Sequence, residues 1–434
     1  MDGTEAKRAP SSSEAPRPGL FPVLLVNFIA TFGFSVVIPF LIFVVRDLGG
    51  NGVAYGLMAA AYPTAQLVGA PILGRWSDSV GRRPILLLSQ AGTLVAWIIF
   101  AAALFLPRTV LFEWRSSWTG NFSVTLPLLV LFLARGFDGL TGGNIAVANA
   151  YVADVSPEEE RAVNFGRMGV SSNLGFVCGP GLAALMGLFG EGNYLLPLGA
   201  CIAISALATG LVAFFLPESL HPKAPKCKVQ AFGAGAKDSA GALARPRIRL
   251  LLTTYFLVFL GFNFFYTAFP VHAAGGLGWT VTRTGLFFVL LSALMIGVQG
   301  PGLAWIQPHA SPRSLVVGGS LSLTLTFLLI RTGAPGPTFA AALFFALGNG
   351  LMWPSLQGLL SSESRPEEQG SVQGLAGSLT SAAAIFGLVA GGFVFERIGT
   401  ETFGLSALFM LAAGLGIALF DGRLARPSAP AASG

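Results

Sequence analysis

The stretch that decides the fold reads GRWSDSVGRR at residues 74–83, between two long apolar segments. Gly74 carries no side chain, so we expect two helix ends to approach closely there. Gly81 suits the tight turn between the two segments. A short polar string placed in this way predicts a pair of membrane helices whose connecting loop emerges at the membrane surface.

The charged side chains of this string predict a conformational latch. Asp78 can accept charge-assisted hydrogen bonds from an arginine or from helix N-terminal amides, and the arginines stay at the membrane surface. We expect the carboxylate and two guanidiniums to hold helix ends together in one conformation and release them in another. An ordinary positively charged loop is the alternative. The predicted latch residues are Gly74, Asp78, Gly81, Arg82 and Arg83.

The composition of the whole chain agrees with a lipid environment. Of its 434 residues 53% are hydrophobic and 11% are charged, and the mean hydropathy is +0.70. A soluble globular domain carries about 25% charged residues. A water-soluble protein of this length would need far more polar surface, so the composition favours lipid as the solvent for most of the chain.

Twelve apolar windows are long enough to span a membrane, which takes about 20 residues each. They start near Phe21, Ala54, Pro84, Leu126, Ala162, Asn193, Leu250, Thr284, Leu315, Pro337, Val372 and Phe403. The ninth window, Leu315 to Ile330, is short. The predicted fold is an all-α membrane protein of twelve transmembrane helices in two six-helix bundles. Its predicted parts are a disordered tail (1–19), an N-terminal bundle (20–216), a basic linker (217–249), a C-terminal bundle (250–421) and a second tail (422–434).

The basic residues predict the orientation, because Lys and Arg favour the cytoplasmic side. With both termini in the cytoplasm, 19 of the 26 Lys and Arg residues lie on that side and 6 lie outside. Arg135 is left within a span. The net charge of +6 is then a signal of topology, and a nucleic-acid partner is disfavoured.

The two halves resemble each other in sequence. Pro157-Glu158-Glu159 follows the fourth span, and Pro366-Glu367-Glu368 follows the tenth. A helix rich in glycine and small residues comes next in both cases. Repeated halves are typical of transporters that rock about a central site. Chance similarity between Gly/Ala-rich helices is the alternative.

Several segments carry a family resemblance. The string at 74–83 resembles the G-x-x-x-D-x-x-G-R-[RK] hallmark of the major facilitator superfamily. In the fifth span GFVCGPG, which holds Gly175, Gly179 and Pro180, resembles the G-x-x-x-G-P signature of antiporters. GFSVVIPFL in the first span resembles the tetracycline and multidrug proton antiporters. ARGFDGLTGGN in the fourth span and LPES after the sixth are also similar to family segments.

The resemblance implies a secondary transporter that exports drugs or small metabolites in exchange for protons. The sequence departs from the tetracycline exporters in the first span, where the stretch Asn27 to Phe32 holds no acid. The C-terminal counterpart of the latch, GPGLAWIQPHASPR, lacks the aspartate. An importer or facilitator of a native metabolite, and a non-transporting receptor on the same fold, are the alternatives.

Arg135 and Asp138 predict the proton-coupling site. An ionised residue at mid-membrane costs about 2.5–3.5 kcal/mol on insertion scales, so such residues are functional candidates. A spacing of three places both on one helix face, where they can pair. We expect Asp138 to be the protonatable group and Arg135 to keep it ionised until substrate or a conformational change separates them. A permanent structural ion pair is the alternative.

The resemblance implies a substrate cavity lined by spans 1, 4, 7 and 10. The candidates are Asn27, Thr31, Ser35, Gln66, Asn144, Asn149, Asn263, Tyr266, Asn349, Trp353 and Gln357, with Phe262, Phe265 and Phe269 suited to an aromatic ligand. Helix packing is the alternative for each. We expect no metal, no cofactor beyond the proton gradient, no enzymatic activity and no ATP-binding loop. The expected protein is a monomer in the cytoplasmic (inner) membrane of a bacterium.

Overall fold

The computed structural model of the chain describes residues 20–157, 160–189, 193–219, 241, 243–365 and 368–424. The side chains of residues 144, 145, 161, 162, 370 and 420–424 are outside that description. The description also leaves out the predicted tail 1–19, most of the predicted linker and residues 425–434 of the second tail. Of the glutamates in the two Pro-Glu-Glu repeats, it includes only Glu368.

Fifteen helices make up the described chain, and a β-hairpin interrupts them. The first half contains α1 (Phe21–Val36), α2 (Leu41–Asp47), α3 (Gly52–Val80), α4 (Arg82–Ala103), β1 (Val110–Trp114), β2 (Phe122–Thr125), α5 (Leu126–Thr141), α6 (Asn144–Val155), α7 (Arg161–Leu188) and α8 (Leu195–Phe215). The second half contains α9 (Pro246–Gly275), α10 (Val281–Gly297), a π-helical turn (Val298–Gly302), α11 (Leu303–Ile306), a 3₁₀ turn (Gln307–His309), α12 (Pro312–Arg331), α13 (Pro335–Glu363), α14 (Gln369–Ile398) and α15 (Glu401–Leu424).

Helix boundaries follow local chemistry. Proline occupies the first turn of α5, α9, α12 and α13. Its missing N–H does not destabilise the helix there, because amides of the first turn have no acceptor within the helix, and its fixed φ is already helical. The Asn51 side chain caps α3 by accepting from the amides of Val53 and Ala54. The predicted linker, 217–249, ends earlier than expected, because α9 begins at Pro246 instead of residue 250.

Within the described ranges, ten helices are long and apolar enough to cross a membrane. The bent pair of α1 and α2, kinked by 42°, makes an eleventh if it is one span. This count treats α5 and α6 as one span. The helix α3 is 29 residues long but less apolar than the others. The ninth predicted window is not short, because α12 extends over 20 residues from a proline start.

The helix pairings repeat in the two halves. In the first half α1 packs on α7 and α4 packs on α8; in the second half α9 packs on α14 and α12 packs on α15. The halves meet where α3 contacts α14 and where α7 contacts α10. Large apolar side chains such as Phe105, Phe214 and Trp305 are exposed on the outside, as a lipid-facing surface requires.

The hairpin of β1 and β2 was not predicted from the sequence. Its strands pair antiparallel, and its base is tied to the end of α2 because Ser123 N donates to Gly49 O and Thr125 Oγ1 donates to Leu48 O. We call this end of the bundle the hairpin end. The opposite end, which carries residues 74–83, is called the latch end.

Candidate transport site

Arg82 is the centre of the latch. Its Nη1 atom lies 2.5 Å from Asp78 Oδ1 and 2.7 Å from Ser77 Oγ, and its Nε atom lies 2.9 Å from Asp154 Oδ2. The residue is buried, while both carboxylates are partly exposed. One guanidinium therefore joins the end of α3 to the end of α6.

Glu218, from the LPES segment, completes the latch. Its Oε1 atom accepts from the Arg82 amide at 2.8 Å and its Oε2 atom from the Arg83 amide at 3.2 Å, so the carboxylate sits at the N-terminus of α4. Arg83 donates to the carbonyl of Ala213. Gly81 has a φ of 115°, and an added Cβ there would lie 2.5 Å from Glu218 Oε2. Glycine is required at this turn for both reasons.

One expectation about the latch needs correction. A Cβ added at Gly74 would meet no atom within 4 Å, so no close helix approach occurs there. The contacts of Arg82 and Arg83 given above join helix ends within the first half. The LPES segment was noted in the sequence, but neither Asp154 nor Glu218 was identified as a latch partner, because residues distant in sequence meet only once the helices pack.

A cavity of about 440 Å³ lies between the two halves. The aromatic rings that line it include Phe34, Tyr55, Phe176, Phe259, Phe262, Tyr266 and Trp353. Its polar side chains include Asn173, Asn263, Ser292, Gln299 and Asn349. Among the described residues that line it, Arg135 carries the only formal charge. The cavity is therefore an aromatic chamber with amide anchors and one cation.

Four of the predicted cavity residues line this space, namely Asn263, Tyr266, Asn349 and Trp353. The Trp353 ring is held by edge contacts with Phe259 and Tyr255, at centroid distances of 5.1 and 5.3 Å. Phe262 also lines the cavity. Phe265 and Phe269 do not, because their rings pack in the core of the second half.

The other predicted polar residues have different positions. Three of them are buried on α1 and do not line the cavity. Asn27 Nδ2 donates to Met168 O and Ser172 Oγ on α7, and Ser35 Oγ donates to Gly175 O on the same helix. Thr31 Oγ1 donates to Asn27 O within α1. Gln66 donates to Gly142 O and supports the break between α5 and α6. Asn149 and Gln357 are exposed and outside the lining, and the Asn144 side chain lies outside the description.

Sequence reasoning missed lining residues on the fifth and eighth spans. Asn173 and Phe176 come from α7, Met295 from α10 and Gln299 from the π-helical turn. Phe176 lies inside the GFVCGPG segment, and Gln299 directly precedes GPGLAW. Both motifs are recognisable in the sequence, so the side chains beside them could have been predicted to line the cavity.

The glycines of GFVCGPG bring α7 against α1. A Cβ added at Gly175 would lie 2.7 Å from Phe28 O, and one added at Gly179 would lie 2.0 Å from Ser35 Oγ and 2.7 Å from Val36 N. Pro180 lies within the continuous helix α7 and lines the cavity. This segment combines close helix packing with a cavity wall.

Arg135 and Asp138 form a buried pair on α5. Arg135 Nη1 lies 3.3 Å from Asp138 Oδ2, and its guanidinium carbon lies 5.1 Å from the centroid of the Tyr62 ring. Thr93 Oγ1 donates to Asp138 Oδ1 at 2.9 Å. Arg135 lines the large cavity, whereas Asp138 lines a separate small one. The pair therefore forms part of the wall between two spaces.

The two halves are in close contact at the hairpin end. Gly52 N donates to Glu396 Oε1 at 2.6 Å, and a Cβ added at Gly56 would lie 2.6 Å from Leu388 O. On the other side of the bundle, a Cβ added at Gly187 would lie 2.4 Å from Thr282 Oγ1. These contacts join the two halves at the hairpin end.

The comparisons with known proteins agree with this geometry. The Major Facilitator Superfamily model matches residues 23–388. The chain is 28% identical over 401 residues to the class D tetracycline resistance protein of Salmonella ordonez, covering 88% of this chain and 93% of the relative. It is 25% identical to multidrug resistance protein 2 of Bacillus subtilis (strain 168), covering 92% and 94%.

Solved structures show the same fold. The human organic anion transporter MFSD10 (TETRAN) aligns with a TM-score of 0.65 at 21% identity, covering 93% of this chain and all of that one. The relatives confirm the resemblance to the tetracycline and multidrug branch. The chain belongs to the Major Facilitator Superfamily, and it is a multi-pass membrane transporter and not an enzyme.

Proposed function

We propose that this transporter exports amphipathic aromatic compounds, drugs or small metabolites, in exchange for protons. The observation that carries the proposal is the cavity between the halves, whose aromatic wall meets the buried pair of Arg135 and Asp138. Tetracycline and multidrug resistance proteins among the relatives support export of such compounds.

The size and lining of the cavity suit a drug-sized ligand. Ligand pockets measure roughly 300–1,000 Å³ and combine apolar walls with a few polar anchors. Tyr266, Trp353 and the neighbouring phenylalanines offer ring faces, which attract organic cations as well as aromatic rings. The side-chain amides of Asn263 and Asn349 can orient a bound molecule by hydrogen bonds.

The ion pair couples substrate to protons. Substrate in the cavity contacts Arg135, while a proton binds Asp138 on the other side of the pair. A cationic substrate repels the guanidinium toward Asp138, strengthens the pair and expels the proton, which is the linkage that antiport requires. Each proton that then enters the cell releases about 2.3 kcal/mol per 100 mV of membrane potential.

A second candidate follows from the same pair. Because Arg135 is the charged group facing the cavity, an anionic substrate would attract it away from Asp138 and favour proton uptake. Substrate and proton would then move in the same direction, as in an importer. The charge of the substrate therefore decides the sign of coupling.

Flux measurements in proteoliposomes separate the two candidates. Ethidium serves as a cationic aromatic probe. We expect an imposed pH gradient to drive ethidium across the membrane in the direction opposite to the protons, with a matching change of pH in the vesicle lumen. Tetracycline and an aromatic carboxylate complete the panel. Movement of the carboxylate with protons, and no movement of ethidium or tetracycline against protons, would contradict the proposal.

We propose twelve spans with the latch end and both termini in the cytoplasm, in a monomer located in a bacterial inner membrane. The excess of basic residues at the latch end supports this orientation. In a background without native cysteines, Ser116→Cys in the hairpin should react with a membrane-impermeant maleimide added to intact cells, and Ser79→Cys should not. Labelling of Ser79→Cys alone would reverse the topology.

A further inference from the structure

A second, smaller cavity lies inside the first half, on the far side of the ion pair. Its volume is about 20 Å³, and we call it the side chamber. Helices α1, α3, α4, α5 and α8 contribute its lining, which includes Gly33, Phe34, Tyr62, Gln90, Trp97 and Asp138. The function proposed above uses only Asp138 from this set.

Two polar groups in the side chamber lack protein partners. Gln90 Nε2 and Trp97 Nε1 are buried, and neither atom has a hydrogen-bond partner among the described protein atoms. The exposed fractions of the two residues are 1% and 3%. An unsatisfied buried donor costs roughly 1–3 kcal/mol, so two in one chamber need an acceptor.

A single water molecule is small enough to fit the side chamber and could accept from both donors. A cavity needs a volume of about 10–15 Å³ to hold one water molecule, and the water needs two to four polar partners. The side chamber meets the size condition, and Gln90, Trp97 and Asp138 supply two donors and one acceptor. We propose that the side chamber holds an ordered water that links Gln90 and Trp97 to Asp138 and serves as the proton's access to that carboxylate.

The inference rests on the proposed function, in which Asp138 exchanges protons, and it adds a separate route for them. The rings of Phe34 and Tyr62 contact each other at a centroid distance of 5.6 Å, and Arg135 lies against Tyr62. These side chains stand between the chamber and the large cavity. A hydronium in the chamber passes one proton to the Asp138 carboxylate and remains as neutral water, so the proton reaches Asp138 without passing through the large cavity.

Gly33 allows the chamber to be filled without other changes. A Cβ added there would lie 4.0 Å from Trp97 Nε1, with no nearer atom, so the methyl group of Gly33→Ala occupies the space of the water without a clash. Gly136, on the same helix as Asp138, is the matched control because a Cβ there meets nothing within 4 Å.

Radiolytic hydroxyl-radical footprinting in oxygen-18 water tests the proposal on purified protein in nanodiscs. A tryptophan beside an internal water is oxidised quickly although it is buried. Trp279 serves as internal reference, because it is similarly buried but packs against Phe269, Phe287 and Phe339. We expect Trp97 to react at least about tenfold faster than Trp279 in the wild type.

The variants complete the test. Gly33→Ala should reduce Trp97 oxidation to the rate of Trp279, and Gly136→Ala should leave it at the wild-type rate. Equal rates for the two tryptophans in the wild type, or no decrease in Gly33→Ala, would overturn the hydrated chamber. The proposed function is tested by a different measurement: it fails if Asp138→Asn still couples transport to protons. That outcome does not depend on the rate of Trp97 oxidation, so the two failures can be told apart.

Discussion

At the scale of single residues, small side chains decide which helices can touch. Gly175 and Gly179 let α7 reach the backbone of α1, and Gly81 provides the turn that the latch requires. Sequence motifs pointed to these glycines, because a spacing of four places Gly175 and Gly179 on one helix face. The same reasoning was wrong at Gly74, where the neighbouring helix is not within reach.

Gly179→Ala tests the close approach. The added methyl would lie 2.0 Å from Ser35 Oγ, so α1 and α7 must separate, and overpacking of this kind costs about 1–3 kcal/mol. We expect a lower thermal unfolding temperature for the purified protein. Gly169→Ala on the same helix has open space and is the control. Equal unfolding temperatures for the two variants would show that the approach is absent.

At the scale of elements, the latch joins the ends of α3, α4, α6 and the segment after α8. Arg82→Ala leaves Asp78 and Asp154 without their shared cation at a partly exposed site. We expect a loss of about 1–2 kcal/mol in unfolding free energy, less than for a fully buried pair. Chemical unfolding followed by tryptophan fluorescence measures it.

Arg115→Ala is the control for the latch variant. Arg115 pairs with Glu113 on the hairpin, and its side chain is 77% exposed, so its removal should not change stability. If Arg115→Ala destabilises the protein as much as Arg82→Ala, then the burial of Arg82 and its hydrogen-bond network add nothing to the unfolding free energy.

Helix positions were predictable from the sequence because apolar length is the strongest signal a membrane protein carries. The predicted starts at Phe21 and Leu126 coincide with the structure, and that at Pro84 is two residues late. The cavity was predicted less well. Asn27 and Ser35 are polar like Asn263 and Asn349, and only the packed structure shows that the first two face α7 instead of the cavity.

At the scale of the whole molecule, the structure shows the halves in contact at the hairpin end. The carboxylate of Glu396 in the second half accepts from the first amide of α3, where the helix dipole favours a negative charge. We expect reorientation of the halves during transport to break this bond, so Glu396 should shift the balance between conformations.

Glu396→Gln keeps an acceptor but removes the charge. We expect a cysteine in the cavity, Ala384→Cys in a background lacking native cysteines, to react about fivefold faster with an impermeant reagent applied from the hairpin end. Glu113→Gln on the hairpin is the matched control. Unchanged reactivity in Glu396→Gln would mean that this contact does not hold the hairpin end closed.

Asp138 is proposed to couple substrate movement to protons. The most direct measurement compares wild type and Asp138→Asn in proteoliposomes, using one transported probe, in two modes: net transport driven by a pH gradient and exchange of labelled for unlabelled probe without a gradient. We predict that Asp138→Asn abolishes gradient-driven transport and retains exchange. Gradient-driven transport at the wild-type rate in Asp138→Asn would rule out a coupling role for this carboxylate.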